Sequence, residues 1–184
     1  MPRVLFETAS TLNGFIADEL NSLEWLFAVA SEATPTVAPT ATVHVEGSTT
    51  YEWILEHENL IEEPRKWAEF FGTKPTFVFT TRELPVPEGA DVRFVRGDVL
   101  EALPEIRLAA GDGDIWVVGG GELAAQFMDA NALDEIAVSI APATVVGGAP
   151  LFPRAVGADR IRLKSADRVG QFAHVVYEVL PPPS

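Results

Sequence analysis

The residues with the clearest capacity for chemistry fall in three short runs. They are Glu46-Gly47-Ser48-Thr49-Thr50, Phe79-Thr80-Thr81-Arg82 and Val118-Gly119-Gly120-Gly121-Glu122-Leu123. In each, an apolar stretch ends at small or hydroxylated residues and a helical pattern or turn follows. Glycines there let the backbone turn sharply and approach a ligand without interference from Cβ. A helix opening at such a point aims unpaired N–H groups and its positive dipole end at the same place. Two such openings and a Thr-Thr-Arg turn suit a ligand with several phosphates. None of the runs is the G-x-G-x-x-G dinucleotide fingerprint or a P-loop.

The elements that must position these runs follow from periodicity. Strands are expected at Val4–Ala9, Ala41–Glu46, Thr76–Thr80, Val92–Val95, Asp114–Val118 and Asp134–Ile140, from β-branched and aromatic content. A short helical stripe runs through Leu23, Leu26, Phe27 and Ala30, after the turn-like Asp18-Glu19-Leu20-Asn21. A second helix carries Tyr51, Ile54 and Leu55. A third covers Asp98 to about Leu108, unsettled by Pro104. A fourth turns Leu123, Phe127 and Met128 inward. The proline-interrupted stretch 34–40 is expected as loop. Arg160–Arg168 and Phe172–Leu180 flank Val169-Gly170-Gln171 and predict an antiparallel hairpin. Strands alternating with helices, then strand after strand, predict an α/β fold: a mostly parallel central sheet finished by an antiparallel C-terminal hairpin. In such a sheet all three runs lie at the carboxyl ends of strands, where open α/β folds bind ligands.

Composition narrows the classes. With 184 residues, 47% of them hydrophobic, the expectation is one domain spanning 1–184. The net charge of −14 argues against nucleic-acid binding, which needs clustered Lys and Arg. No apolar run approaches the roughly 20 residues that would span a bilayer, and no signal peptide is read at the N-terminus. The chain has no cysteine, so disulfides, thiolate metal sites and a cysteine nucleophile are excluded, and a cytoplasmic location is expected. His44, His57 and His174 are too scattered for a metal site. Trp25, Trp53, Trp67 and Trp116 are expected in the core or at an interface, with one of them able to edge a pocket.

Taken in order and spacing, these motifs resemble the dihydrofolate reductase-like superfamily, most closely the C-terminal reductase domain of the bifunctional riboflavin-biosynthesis deaminase-reductase. The similarity begins at Ala9-Ser10-Thr11-Leu12-Asn13-Gly14-Phe15-Ile16-Ala17 and Ser22-Leu23-Glu24-Trp25-Leu26. It runs through Gly47-x-x-Thr50-Tyr51, Thr80-Thr81-Arg82, the Gly119–Leu123 turn and Leu133-Asp134-Glu135-Ile136, and closes at Pro142-x-x-x-x-Gly147-Gly148-x-Pro150-Leu151-Phe152.

The resemblance implies a three-layer α/β/α reductase that uses NADPH, with NADH as an alternative. It implies that Gly47, Ser48, Thr49 and Thr50, together with Val118 to Leu123, hold the cofactor pyrophosphate. Thr80, Thr81 and Arg82 would meet the adenosine ribose and its 2′-phosphate, and the first loop, including Ala9 and Ile16, would border the nicotinamide. It implies a small heterocyclic substrate, pyrimidine- or pterin-like, with reduction of 5-amino-6-(5-phosphoribosylamino)uracil as the archetype, and a homodimer formed through the C-terminal strands. With no cysteine to hold zinc, the deaminase half is expected to be absent. Asn13, Asp18 and Glu24 are the candidates for proton handling, beside a bound water. Arg154, Lys164 and Arg168 are the candidates for a substrate phosphate. Two departures stand out. Ser48 takes the place of a frequent Arg, and Asn13 that of a frequent Asp, where Asn also serves a turn. They keep two other readings open: a dihydrofolate reductase, and a nucleotide-binding protein without catalysis.

Overall fold

In a computed structural model of the protein, residues 1–29 and 38–182 are described. Ala30, most of the expected 34–40 loop and the end of the proline tail lie outside them. The chain begins with β1 (Val4–Thr11) and a short β2 (Phe15–Asp18), then α1 (Glu24–Phe27), β3 (Ala41–Gly47), α2 (Ser48–His57) and α3 (Arg65–Phe71). It continues with β4 (Thr76–Phe79), β5 (Val92–Val95), α4 (Val99–Ala110), β6 (Asp114–Gly119) and α5 (Gly121–Asp129). It ends with β7 (Glu135–Ala141), β8 (Gly148–Pro150), β9 (Ile161–Val169) and β10 (Phe172–Val179).

Eight strands form one sheet in the order β5-β4-β3-β6-β1-β7-β10-β9. The pairs from β5 to β7 are all parallel, and β7–β10 and β10–β9 are antiparallel. The expected parallel body and antiparallel hairpin are therefore both present. β2 and β8 form a separate antiparallel ribbon, and α3 joins α2 in covering the sheet; neither the ribbon nor α3 was expected from the sequence.

Period-two alternation sorts the side chains of the central strands onto two covered faces. Val43 and Val45 of β3 and Ile115 and Val117 of β6 join Leu103 and Ile106 of α4 and Leu123 and Phe127 of α5 in one core. On the opposite face Val78 packs with Tyr51 and Leu55 of α2 and Trp67 and Phe71 of α3. His44 of β3 points to this second face, its ring edge-on to Phe71 and Trp116. Pro104 does not break α4. It is exposed, so the carbonyl it leaves unbonded can be hydrated. Asp98 caps that helix, accepting from Glu101 N–H at 2.9 Å.

Candidate functional site

Chain direction across the sheet reverses between β3 and β6. From β3 the chain runs outward through β4 to β5; from β6 it crosses β1 to β7. Helices α2 and α5, which leave these neighbouring strands, go to opposite faces. A crevice opens at such a switch point beyond the strand ends.

Both helices start in that crevice without a side-chain cap. Gly47 is the N-cap of α2 and Gly120 that of α5, and among the described residues no side chain accepts from the first-turn amides of either. Asp98 on α4 shows what an ordinary cap in this chain looks like. The unpaired N–H groups of two helices thus converge on one place, an arrangement suited to an anion. The two turns touch: a Cβ on Gly47 would sit 3.9 Å from the Gly119 carbonyl oxygen and the Gly120 nitrogen. The peptide between Gly119 and Gly120 is cis.

None of Gly47 and Gly119 to Gly121 has positive φ, so space, not left-handed backbone, is what calls for glycine. A Cβ on Gly119 would lie 2.7 Å from Thr50 Oγ1. One on Gly121 would lie 2.4 Å and 2.6 Å from the carbonyl oxygens of Leu151 and Pro150.

The crevice is a cleft of about 640 Å³. Gly47 to Thr50 and Val118 to Leu123 form one wall. Thr8 of β1, Ile16 and Ala17 of β2, and Ala149 and Pro150 of β8 form another. Asn21 and Leu23, Trp53 of α2, Phe79, Gln126 and Pro153 complete it. Among the described residues, Glu122 is the only lining side chain that carries a charge. It accepts two hydrogen bonds from Arg154 at 2.8 and 2.9 Å, and Arg154 also binds Asp129 at 3.0 Å. The Arg154 hydrogen bonds hold the Glu122 carboxyl below its ordinary range.

Of the residues expected at the site, Ile16, Gly47, Ser48, Thr49, Thr50 and Val118 to Leu123 line the cleft together; Ala9, Thr80, Thr81 and Arg82 do not. Thr80 Oγ1 accepts from the Arg82 amide, and the Arg82 guanidinium is paired with Glu52 of α2 at 2.9 and 2.5 Å. Asn13, Asp18 and Glu24 also lie off the cleft. Asn13 accepts from Thr11 Oγ1 at 2.8 Å and donates to the Val145 carbonyl at 2.7 Å, tying the first loop to a late one. Asp18 Oδ1 accepts from the amides of Leu20 and Ser22, each at 2.8 Å. Glu24 is exposed on α1. Lys164 pairs with Glu135, and Arg168 donates to the Gly170 carbonyl.

One residue next to the cleft, at the head of the first of the three runs, carried no role of its own in the sequence reading. Glu46 immediately precedes Gly47, is fully buried, and neither carboxyl oxygen has a hydrogen-bond partner among the described residues. Burial pushes its pKa up to about 8, so it is protonated at neutral pH. His44, two residues earlier, is held neutral, its pKa lowered to about 4 by burial and then by Lys74.

The chain matches the family model of the RibD C-terminal domain over residues 29–175. Among solved structures it is similar to a protein assigned to riboflavin biosynthesis from Shewanella sp. PV-4, at 21% identity and a TM-score of 0.77, covering 98% of this chain and 100% of that one. It is similar to the diaminohydroxyphosphoribosylaminopyrimidine deaminase/5-amino-6-(5-phosphoribosylamino)uracil reductase of Thermotoga maritima, at 16% identity and a TM-score of 0.64; 97% of this chain covers 57% of that larger protein. It is also similar to dihydrofolate reductase from Enterococcus faecalis in complex with NADP(H), at 16% identity and a TM-score of 0.57, with 96% of each chain covered.

Proposed function

The chain belongs to the RibD C-terminal domain family, and from that premise we propose that it is a nicotinamide-nucleotide-dependent reductase of a small heterocycle. The observation that carries this reading is the convergence of two uncapped helix N-termini, those of α2 and α5, on one cleft at the switch point. The amides of Ser48, Thr49 and Gly121 and the hydroxyls of Ser48 to Thr50 would take the cofactor pyrophosphate. Ile16, carried over the glycine turn by β2, would border the nicotinamide. The similarity to a dihydrofolate reductase that binds NADP(H) supports the choice of nucleotide.

When bound, the reduced nicotinamide supplies a hydride to the carbon of a substrate C=N bond while the nitrogen takes a proton, leaving an amine and the oxidised nucleotide. The chain's part is to orient the two partners and to exclude bulk water. Water is the proton source in this reading, because Asn13, Asp18 and Glu24 lie off the cleft. Glu122, held ionised by Arg154, is an acceptor. Arg82 would read a 2′-phosphate only by leaving Glu52, which keeps NADH in play. The homodimer through the C-terminal strands belongs to the same proposal, with β9 as the free sheet edge and Leu163 exposed on it.

Thermal unfolding with NADPH and with NADH tests this. At about a hundred times the dissociation constant, a ligand specific for the folded state adds roughly 2.7 kcal/mol, which is a rise of about 5–10 °C in Tm for a chain of this size. A rise with either nucleotide is the expected result; none with both removes the reductase reading. A rise without turnover of any heterocycle would favour the non-catalytic nucleotide-binding alternative, and turnover confined to dihydrofolate would favour the folate reductase.

A further inference from the structure

Resting on that reading of the cleft, we propose that its substrate end takes an uncharged planar heterocycle that bears no phosphate, stacked against Trp53. The argument starts from where anion-binding capacity is and is not. The two helix N-termini on the cleft are those of α2 and α5, and a dinucleotide's pyrophosphate uses both. A second phosphate would then need a cation.

All 13 Lys and Arg residues of the sequence lie within the described residues, and none lines the cleft. The two nearest in sequence to lining residues are already paired with carboxylates: Arg154 with Glu122 at the cleft edge and with Asp129, and Arg82 with Glu52. Among the described residues the one charged group that lines the cleft, Glu122, is itself an anion. A phosphate brought in would shed water and meet a carboxylate. The remaining polar lining is neutral: hydroxyls of Thr8, Ser48, Thr49 and Thr50, and carboxamides of Asn21 and Gln126.

The cleft does hold a surface for a flat ring. Trp53 follows Thr49 and Thr50 by one helical turn and so shares their side of α2. It faces the cleft together with Asn21 and Leu23 from the segment before α1. Its indole is set by two further rings. His57, one turn on, stacks on it with centroids 4.4 Å apart and planes 14° apart. Phe27 of α1 stacks on His57 at 5.1 Å and 1°. Phe27 is 49% exposed, more than a ring kept only for core packing needs. Three near-parallel rings at a cleft mouth hold an indole in a fixed plane, which a neutral aromatic ring can extend by stacking.

Calorimetric titration of the purified full-length protein separates the outcomes. The probes are 5-amino-6-(ribosylamino)uracil and its 5-phosphate, and 7,8-dihydrobiopterin and 7,8-dihydrofolate as a neutral and an anionic pterin. Each is titrated with and without NADPH, and NADPH is titrated alone. The neutral member of a pair is expected to bind more tightly than its anionic partner by about tenfold or more. Trp53→Ala is expected to weaken the neutral probe by about tenfold, in line with the stacking of one base on an aromatic side chain. Trp53→Phe should restore most of the loss, and both variants should keep the wild-type NADPH Kd. Equal or tighter binding of the anionic members overturns the proposal, as does indifference of the neutral probe to Trp53→Ala, or no binding of any probe. If a neutral probe binds through Trp53 while NADPH does not bind, the ring site stands and the nucleotide reading falls. If NADPH binds and the neutral probes do not, the reverse holds.

Discussion

Replacing Glu46 by Gln should convert a pH-dependent liability into a constant. The Glu46 carboxyl is fully buried, lacks a hydrogen-bond partner among the described residues, and has its pKa moved from 4.5 to about 8 by burial. Between those two values the unfolded chain has lost the proton and the folded chain keeps it, so the folded state is progressively disfavoured as pH rises. The slope is about 1.4 kcal/mol per pH unit. At pH 7 the accumulated penalty is on the order of 3 kcal/mol relative to pH 4.5. Gln has nearly the same shape and does not ionise. Any cost of burying its amide is the same at every pH, so the slope is diagnostic and the offset is not. His44 has the opposite linkage: its pKa is lowered to about 4, so its contribution is lost as pH falls from about 6.5 toward 4. That contribution is common to both proteins and cancels in the difference. The assay is urea unfolding of wild type and Glu46→Gln at half-unit steps from pH 4.5 to pH 8. The stability of the variant relative to wild type should climb by roughly 3 kcal/mol up to pH 7, equivalent to about 6–12 °C in Tm. Parallel curves would refute the assignment of Glu46 as a buried neutral acid.

Two further substitutions probe the cleft and the ion pair beside it. Gly121→Ala forces a methyl group against the carbonyls of Leu151 and Pro150 and should cost about 1–3 kcal/mol by overpacking, read as a lower urea midpoint. A wild-type midpoint would mean that β8 yields without cost. Glu52→Gln frees Arg82 from its ion pair and should raise the preference for NADPH over NADH by about two- to fivefold, the range of an exposed pair. The ratio of the two Kd values measures it, and an unchanged ratio takes Arg82 out of the nucleotide site.

The sheet was legible in the sequence where strands are continuous and apolar, as in Val4 to Ala9 and Asp114 to Val118. The hairpin was legible because Gly170 punctuates two long alternating runs. β2 and β8 were not, since a strand of four half-buried residues and one of three carry no periodic signal. The three glycine-rich or hydroxyl-rich junctions were found, and two of them meet at the cleft. The role of the third, ending at Arg82, could not be judged without seeing Glu52 beside it, a partner 30 residues away. The burial of Glu46 was not legible, for a physical reason. Val43-His44-Val45-Glu46 alternates as a strand with one wet face would, whereas β3 is a central parallel strand covered on both sides. Trp53 was counted with the other tryptophans because helical spacing alone does not say which turn of α2 overlooks a crevice.

The β2–β8 ribbon has a consequence for how the molecule comes together. It joins Phe15–Asp18 to Gly148–Pro150, and beside it Asn13 reaches Val145, 132 residues along the chain. The ribbon supplies Ile16, Ala17, Ala149 and Pro150 to the cleft lining, with Pro150 against the start of α5. Loop closure over such a span comes late in folding, so the cleft is completed only after both ends of the chain have arrived. A ligand seated there holds the last-formed contacts in place. Its effect should fall on the rate at which the molecule comes apart, leaving the rate at which it assembles nearly unchanged.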